Sequence, residues 1–342
     1  MKSSIFGFGA GVIAAALLAG GAAAQNAPVA NNELIRIQEY PGTILNLPHW
    51  VMMDAGFCER VKLRCEGVAI PSGPVGLQAL AAGSIEVSYA STEVTMQSAA
   101  RGNDVQVIVG HSPNNIYELT VRSDVPLPNK DAGYPAIMKD IVGKKVGVTA
   151  RGSGVELQVR ALLIGAGLDP ESVTYVAVGS PATAYPQFVA KQIDAALMFQ
   201  PFRALCEYQK TCIVAVDMDK GEGPAEVKSL NGGFETYAAR RDFIKKNPAA
   251  VTAFIHALTE AIAWMQKPEN FDQVAAITKR RLSMGDVQDA DKVMMALLKM
   301  QIPRFGVSID RDSIKAFSNF LVINKMIDKP FDHMPFIYEN AP

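Results

Sequence analysis

A glycine-rich turn between an apolar strand and a helix is the segment of this sequence best suited to binding a charged group. It lies in GVTARGSGVELQVRALL, residues 147–163. The first amides of a helix have no partner within the helix, and the helix dipole places partial positive charge there. We therefore predict an anion site for a carboxylate, sulfonate or phosphate at Arg151, Gly152, Ser153 and Gly154. The alternative is an ordinary strand-to-helix turn with Arg151 in solvent.

The same turn does not have the residues that nucleotide chemistry requires. Its spacing resembles a phosphate-transfer loop, but Ser153 stands where that loop has its lysine. The dinucleotide motif Gly-x-Gly-x-x-Gly does not occur either. A helix dipole contributes about 0.3–2 kcal/mol, whereas micromolar binding needs about −8 kcal/mol, so other contacts must also hold the ligand. The sequence predicts no cofactor and no metal ion.

Catalytic motifs are absent from the sequence. The four histidines, at positions 49, 111, 256 and 333, are scattered, and neither His-Glu-x-x-His nor Gly-x-Ser-x-Gly occurs. The sequence therefore favours a binding protein over an enzyme. His49 and Trp50 open the first helix pattern directly after a proline-bounded loop. There they would either form an aromatic pocket wall or pack in the core.

Apolar strands alternate with helix patterns through most of the chain, which indicates an α/β fold with parallel sheets. The first strands are predicted at 34–38, 61–65, 85–89, 105–110 and 117–123. The pattern restarts with strands at 144–148, 173–178, 194–198 and 212–216. A last strand at 234–239 precedes a C-terminal part that is nearly all helix from Phe243 onward.

Two segments of the sequence resemble one another. LAAGSIEVSYASTE, residues 80–93, aligns without gaps with FVAKQIDAALMFQP, residues 188–201. The similarity predicts two units of equivalent wiring, with Ser91-Thr92 and Phe199-Gln200 in equivalent loops. Both loops follow parallel strands, and the carboxyl ends of such strands are where α/β sheets bind ligands.

The first 24 residues have the layout of a secretory signal peptide. Lys2 precedes an apolar run from Ile5 to Leu18, and small residues end at Ala24 before Gln25. We predict export to the periplasm with cleavage after Ala24; an uncleaved membrane anchor is the alternative. Cleavage would remove one of 33 basic residues, so 32 would remain against 34 acidic ones, a net charge of −2. That balance does not indicate nucleic acid or an anionic membrane as a partner.

The four cysteines form two close pairs. Cys58 and Cys65 bracket ERVKLR, and Cys206 and Cys212 bracket EYQKT. In an oxidising compartment such local pairs are typical of disulfides that close short loops. A metal site is the alternative, but no Cys-x-x-Cys motif accompanies either pair. Two disulfides are therefore predicted, with their connectivity left open.

Several segments together resemble the periplasmic solute-binding proteins of ABC importers, of the nitrate/sulfonate/taurine and thiamine-precursor type. They are LQALAAGSIEVSYAS, DIVGKKVGVTARGSG, LLIGAGLDPESVTYVAVGS, FVAKQIDAALMFQP and RRDFIKKNPAAVTAFIHAL. The resemblance implies the two-lobed "Venus flytrap" fold of type II, with a doubly wound, mostly parallel sheet in each lobe and a helical C-terminal part packed on lobe one. The implied divisions are a signal peptide at 1–24, lobe one at 25–121 and 233–342, and lobe two at 122–232.

The resemblance also implies that a ligand binds between the lobes. Relatives often have an acidic residue before the proline that follows Gln200, and the glutamine of this chain suits an anionic ligand. The iron-binding cysteine motif of the thiamine-precursor synthases is absent, so their chemistry is not implied. The residues expected to bind the ligand are His49, Trp50, Ser91, Thr92, Arg151, Gly152, Ser153, Gly154, Tyr185, Gln200 and Phe234.

These inferences predict an exported, monomeric receptor for a small organic anion, which it delivers to an ABC permease in the inner membrane. The anion would be a sulfonate or a carboxylate, aromatic or aliphatic. Trp50, Tyr185 or Phe234 would hold the body of the ligand. The alternatives are an exported hydrolase-like enzyme and a sensor that passes lobe closure to a signalling receptor.

Overall fold

The computed structural model describes residues 28–285, 287 and 289–342, so the predicted signal peptide and its cleavage site lie outside it. Within these residues, ten strands form two five-stranded sheets. The strands are β1 (Leu34–Glu39), β2 (Arg64–Ala69), β3 (Val87–Ser91), β4 (Val105–Ser112), β5 (Glu118–Arg122), β6 (Lys145–Val148), β7 (Thr174–Ala177), β8 (Ala195–Met198), β9 (Cys212–Asp217) and β10 (Glu235–Arg240).

The two sheets have the same topology. The first has the strand order β2-β1-β3-β10-β4, and the second has the order β7-β6-β8-β5-β9. β1 pairs in parallel with β2 and β3, and β6 pairs in parallel with β7 and β8. One strand of each sheet runs against its neighbours: β10 in the first and β5 in the second. The structure therefore confirms the predicted α/β fold with a mostly parallel sheet in each lobe.

Each antiparallel strand marks a crossing of the chain between the lobes. All of β5 pairs with β8 and β9, so the first crossing lies before Glu118. The lobe boundary predicted after residue 121 would divide this strand, and the pairing moves it toward the N-terminus. β10 joins the first sheet between β3 and β4 and lies wholly beyond the second predicted boundary, 232/233.

Thirteen α-helices accompany the sheets in the described part of the chain. They are α1 (Leu47–Asp54), α2 (Phe57–Arg60), α3 (Gly73–Ala81), α4 (Thr92–Ala100), α5 (Gly154–Gly165), α6 (Pro181–Val189), α7 (Phe202–Tyr208), α8 (Ala225–Lys228), α9 (Arg241–Lys246), α10 (Pro248–Met265), α11 (Phe271–Arg281), α12 (Ala290–Gln301) and α13 (Arg311–Ile323).

The C-terminal helices cover the first lobe. α10 and α11 pack on α1, and α13 packs on α4. Every residue of β3 and β4 is buried, whereas most residues of the edge strand β2 are exposed. α12 also contacts α7, so the C-terminal part reaches the second lobe. α10 is long and apolar enough to cross a membrane by length and composition, but half of it is buried and it packs as a core helix.

Two disulfides close short loops, one in each lobe. Cys58 pairs with Cys65, and Cys206 pairs with Cys212, which confirms the pairing of neighbours in the sequence. Each bond joins a short helix to the start of the next strand: α2 to β2 in the first lobe and α7 to β9 in the second. The bonds therefore restrict the direction of the chain between each helix and the strand that follows it.

Candidate functional site

The carboxyl ends of parallel strands from both sheets meet across the cleft between the lobes. Tyr40 follows β1, Ser91 ends β3, Thr149 follows β6 and Phe199 follows β8. Together they border an inner cavity of about 10 Å³, close to the minimum that holds one water molecule. The cavity is lined by Tyr40, Gly73, Ser91, Val94, Tyr117, Thr149, Ser153, Gly154, Val155, Phe199 and Glu235.

Hydrogen bonds join the two lobes beside the inner cavity. The Thr43 hydroxyl donates to the carbonyl oxygen of Gln200 at 2.6 Å. The Ser180 hydroxyl donates to the carbonyl oxygen of Pro41, also at 2.6 Å. Because both bonds cross the cleft, the lobes must separate before anything larger than water enters.

The N-terminus of α5 points into the inner cavity with part of its hydrogen-bonding capacity unused. The Ser153 hydroxyl accepts from the Glu156 amide at 3.3 Å, and the Glu156 carboxylate accepts from the Gly152 amide at 2.8 Å. This reciprocal Ser-x-x-Glu cap uses two of the amides around the turn. Among the described residues, no hydrogen bond uses the amides of Gly154 or Val155. These two donors remain for a ligand.

Arg151 lies outside the inner cavity, contrary to the prediction. Its Nε is 3.2 Å from Glu156 Oε2, and its guanidinium lies over the Tyr175 ring at 5.0 Å. Its side chain is 56% exposed. Glu156 thus holds both predicted donors, the Arg151 charge and the Gly152 amide, at the rim. This rim belongs to an outer cavity of about 230 Å³, which Arg101, the residue after α4, also lines.

Three other predicted residues, Ser91, Ser153 and Gly154, line the inner cavity. Two more lie directly behind it. The Thr92 hydroxyl donates to the carbonyl oxygen of Gly233 at 2.5 Å, which holds the start of α4 against the second crossing. The Phe234 ring is fully buried and packs edge-on against Tyr117, with ring centroids 5.2 Å apart. Phe234 therefore supports the cavity wall without lining it.

Gln200 and Tyr185 make their contacts within the second lobe. The Gln200 amide donates to Glu118 Oε1 at 3.2 Å, and only its backbone carbonyl reaches the first lobe. The Tyr185 hydroxyl donates to Oε1 of Gln209, at the end of α7, at 2.5 Å. The Tyr185 ring therefore does not form part of the cavity wall, because it points from α6 toward α7 and packs edge-on against Phe202.

His49 and Trp50 are core residues of the first lobe. His49 Nδ1 is 3.1 Å from the Tyr237 hydroxyl, and the Trp50 indole donates to Glu39 Oε1 at 3.0 Å. Both are buried, and neither lines the inner cavity. α1 packs on α10 and α11, so its large side chains fill that interface. The core interpretation of these two residues is the one the structure supports.

Eight lining residues were not among those expected to bind the ligand: Tyr40, Gly73, Val94, Tyr117, Thr149, Val155, Phe199 and Glu235. The rule that ligands bind at carboxyl ends of strands would have identified Tyr40 and Thr149, since each follows a strand of the parallel set. Phe199 lies in a loop that the internal similarity had already singled out. Tyr117 and Glu235 stand at the starts of the crossing strands, and no local pattern shows that these reach the cleft.

The electrostatics of the inner cavity differ between its two sides. Glu93, in the first turn of α4, is fully buried, and burial raises its pKa to about 7. Burial also holds the pKa of Tyr40 and Tyr117 well above the usual value, so both phenols stay protonated. No lysine or arginine of the described chain lines the cavity. The α5 side thus offers amide donors, and the first lobe offers the carboxyl groups of Glu93 and Glu235.

A cluster of acidic side chains lies where the lobes meet, away from the inner cavity. Glu118, Asp217 and Asp219 place carboxylate oxygens within 4.8 Å of one another. Arg203 pairs with Asp217 at 2.5 Å, and Arg304 of the C-terminal part pairs with Asp219. Asp217 and Asp219 thus already have cationic partners, and they belong to an ion-pair network between the lobes.

Comparison with solved structures identifies the class of this fold. The alkanesulfonate-binding protein SsuA from Xanthomonas axonopodis pv. citri, bound to MOPS, superposes with a TM-score of 0.69 at 17% identity, over 89% of this chain and 98% of that one. The periplasmic nitrate-binding protein NrtA from Synechocystis PCC 6803 superposes with a TM-score of 0.60 at 16% identity, over 78% and 71%. The chain therefore has the two-lobed fold of periplasmic binding proteins.

Sequence comparison gives the family. Residues 42–279 match the NMT1-like family, and the chain belongs to it. A Brucella abortus (strain 2308) protein that carries the name of a binding protein is 26% identical over 227 residues, which is 66% of this chain. The match spans 64% of the length of that relative. This relative and the two structural neighbours above all carry the names of binding proteins.

Proposed function

We propose that this protein is an exported solute-binding receptor that captures a small organic acid between its lobes and delivers it to the permease of an ABC importer. The observation that carries the proposal is the inner cavity, which both sheets border with their carboxyl ends and into which α5 directs two unused amides. Membership of a family of binding proteins supports it. So does the likeness to neighbours that bind an alkanesulfonate and nitrate.

The acid group of the ligand binds at the amides of Gly154 and Val155. The hydroxyl groups of Ser91, Thr149 and Tyr117 line the same cavity and add donors for its oxygens. Backbone amides at a helix N-terminus suit an anion, and several neutral donors together replace the missing basic side chain. Arg151 and Arg101 at the outer cavity attract anions toward the cleft without touching the bound acid group.

Ligand entry requires the lobes to open about the two crossings. The inner cavity of about 10 Å³ does not admit an organic acid, whereas ligand pockets of about 300 Å³ or more are usual for small molecules. Opening breaks the bonds from Thr43 to Gln200 and from Ser180 to Pro41. Closure then depends on contacts that the ligand makes only in the closed form. Over the described residues, the first lobe then comprises 28–117 with 233–285, 287 and 289–342, and the second lobe comprises 118–232.

A binding screen on the purified chain tests the proposal. Organic carboxylates and sulfonates are compared with neutral isosteres by thermal unfolding and then by isothermal titration calorimetry. An acid at 100 times its dissociation constant should add about 2.7 kcal/mol of stability. Binding of neutral isosteres with equal affinity would overturn the role of the α5 amides. Turnover of a bound acid would instead support the alternative that the protein is a hydrolase-like enzyme.

Export is tested separately. The protein purified from the periplasmic fraction should begin at Gln25, because cleavage follows Ala24. Intact mass measurement identifies that terminus directly. A chain that stays in the membrane fraction with residues 1–24 attached would show an uncleaved anchor.

A further inference from the structure

Two carboxyl groups beside the inner cavity each have an oxygen that nothing in the described chain satisfies. They are Glu93 Oε2 and Glu235 Oε2. Glu93 is fully buried, and Glu235 is only 3% exposed. Buried polar atoms in native proteins are almost always hydrogen-bonded, to the protein, to water or to a ligand. These two oxygens therefore require donors from outside the chain.

Both carboxyl groups face the place where the proposed ligand binds. Glu235 lines the inner cavity at the start of β10. Glu93 lies against the N-terminus of α5, since a Cβ atom at Gly154 would be only 2.8 Å from Glu93 Oε1. That oxygen already accepts a hydrogen bond from Gln158 at 3.1 Å, which leaves Oε2 as the unused one. A molecule seated on the α5 amides therefore meets carboxyl acceptors on its opposite side.

His111 packs against the Glu235 carboxyl without a hydrogen bond to it. His111 Nε2 is 2.7 Å from the carbonyl oxygen of Leu45, which can only accept, so Nε2 carries a hydrogen. His111 Nδ1 is 3.1 Å from Glu235 Oε2. That contact lacks hydrogen-bond geometry, and Nδ1 is instead hydrogen-bonded to the Ser112 hydroxyl at 3.1 Å. His111 therefore backs the Glu235 carboxyl and leaves Glu235 Oε2 without a donor.

Building on the proposed function, we infer that Glu235 and Glu93 select ligands that carry a hydrogen-bond donor in addition to their acid group. The donor is an ammonium, an amide N–H or a ring N–H. A plain carboxylate or sulfonate satisfies the α5 amides but leaves the two carboxyl oxygens unpartnered and adds like charge beside them. The ligand class is therefore small amphoteric acids.

Matched pairs of acids that differ only in an amino group test this inference. The probes are 2-aminoethanesulfonate against ethanesulfonate, 3-aminopropanoate against propanoate, and 4-aminobenzoate against benzoate, measured by isothermal titration calorimetry. In each pair that binds, the amino member should bind at least about tenfold tighter, the size of one charge-assisted hydrogen bond. Equal affinities within the pairs would overturn the inference and leave the proposed function standing. Absence of binding by every acid would overturn both.

Variants assign the preference to the carboxyl groups. Glu235→Gln keeps the shape of the side chain and should lose most of the preference for the amino member. Glu118→Gln is the matched control, because Glu118 also begins a crossing strand and has an unpartnered buried oxygen, but does not line the cavity. Its preference should equal that of the parent chain.

A second variant keeps the inference testable if Glu235→Gln does not fold. Glu93→Gln, with the same titrations, should also reduce the preference, and thermal unfolding shows whether each variant is folded. If Glu93→Gln and a folded Glu235→Gln both kept the full preference, the inference would be wrong.

Discussion

Replacing Gly154 by alanine separates lobe closure from lobe folding. The added Cβ atom would overlap the Ser91 hydroxyl and lie 2.8 Å from Glu93 Oε1 and 3.1 Å from Ser91 Cβ. Ordinary contact begins near 3.4 Å, and the tight neighbours belong to the other lobe. Gly154→Ala therefore hinders only the closed arrangement, in which α5 meets β3 and α4.

The magnitude follows from the cost of overpacking. Forcing a methyl group into a packed interface costs about 1–3 kcal/mol, which corresponds to a roughly 5- to 150-fold loss of ligand affinity. Within α5 itself, alanine is favourable relative to glycine by up to about 1 kcal/mol. The unfolding free energy of the second lobe should therefore stay constant or rise while ligand affinity falls.

Gly152→Ala is the matched control in the same turn. Gly152 has φ +74°, and no atom lies within 4 Å of the position of its Cβ. Alanine in this left-handed conformation costs about 1–2 kcal/mol of stability but obstructs nothing between the lobes. The control should lower stability and leave affinity unchanged.

The assay combines calorimetric titration of the acid found in the screen with urea unfolding of each variant. Small-angle scattering with saturating ligand reports closure independently. The reasoning would be refuted if Gly154→Ala bound the acid as tightly as the parent and compacted to the same radius. It would also be refuted if Gly152→Ala weakened binding more than Gly154→Ala did.

Three further predictions concern the disulfide of the second lobe, a buried carboxyl and a bond between the lobes. Replacing Cys206 and Cys212 together by serine should reduce the unfolding free energy by roughly 2 kcal/mol, the loop-entropy value for a sequence separation of 6, measured by urea denaturation against the oxidised parent chain. Burial raises the pKa of Glu118 to about 8 from 4.5, so the folded state holds a proton that the unfolded state releases above pH 4.5. Stability should therefore fall by a few kcal/mol as the pH rises from 5 to 8, and Glu118→Gln should flatten that slope in urea midpoints; an unchanged slope would contradict the raised pKa. Thr43→Val removes the donor to Gln200 and should weaken binding by about 0.5–1.5 kcal/mol with no change in secondary structure; unchanged affinity in titration would show that this bond does not hold the closed form.

Local patterns of the sequence determine much of this protein. Alternating apolar strands and helix patterns predict both sheets, since each period reflects the faces that a strand or helix buries. Short spacing predicts the disulfides, because Cys58 and Cys65, like Cys206 and Cys212, are close in space whatever the rest of the chain does. The turn before Gly154 is recognised for the same reason: a strand, a capping serine and a helix start are all local.

The contents of the cleft are decided only by the tertiary structure. Glu235 reaches the cavity because β10 returns from the second lobe and inserts between β3 and β4, next to Glu93. His111 meets Glu235 through the same insertion. Arg151 is lost to the site because Glu156 lies one turn further along α5, within reach of both its charge and the neighbouring amide. Contacts between residues far apart in the chain depend on strand order, and the hydrophobic periodicity of the sequence does not predict strand order.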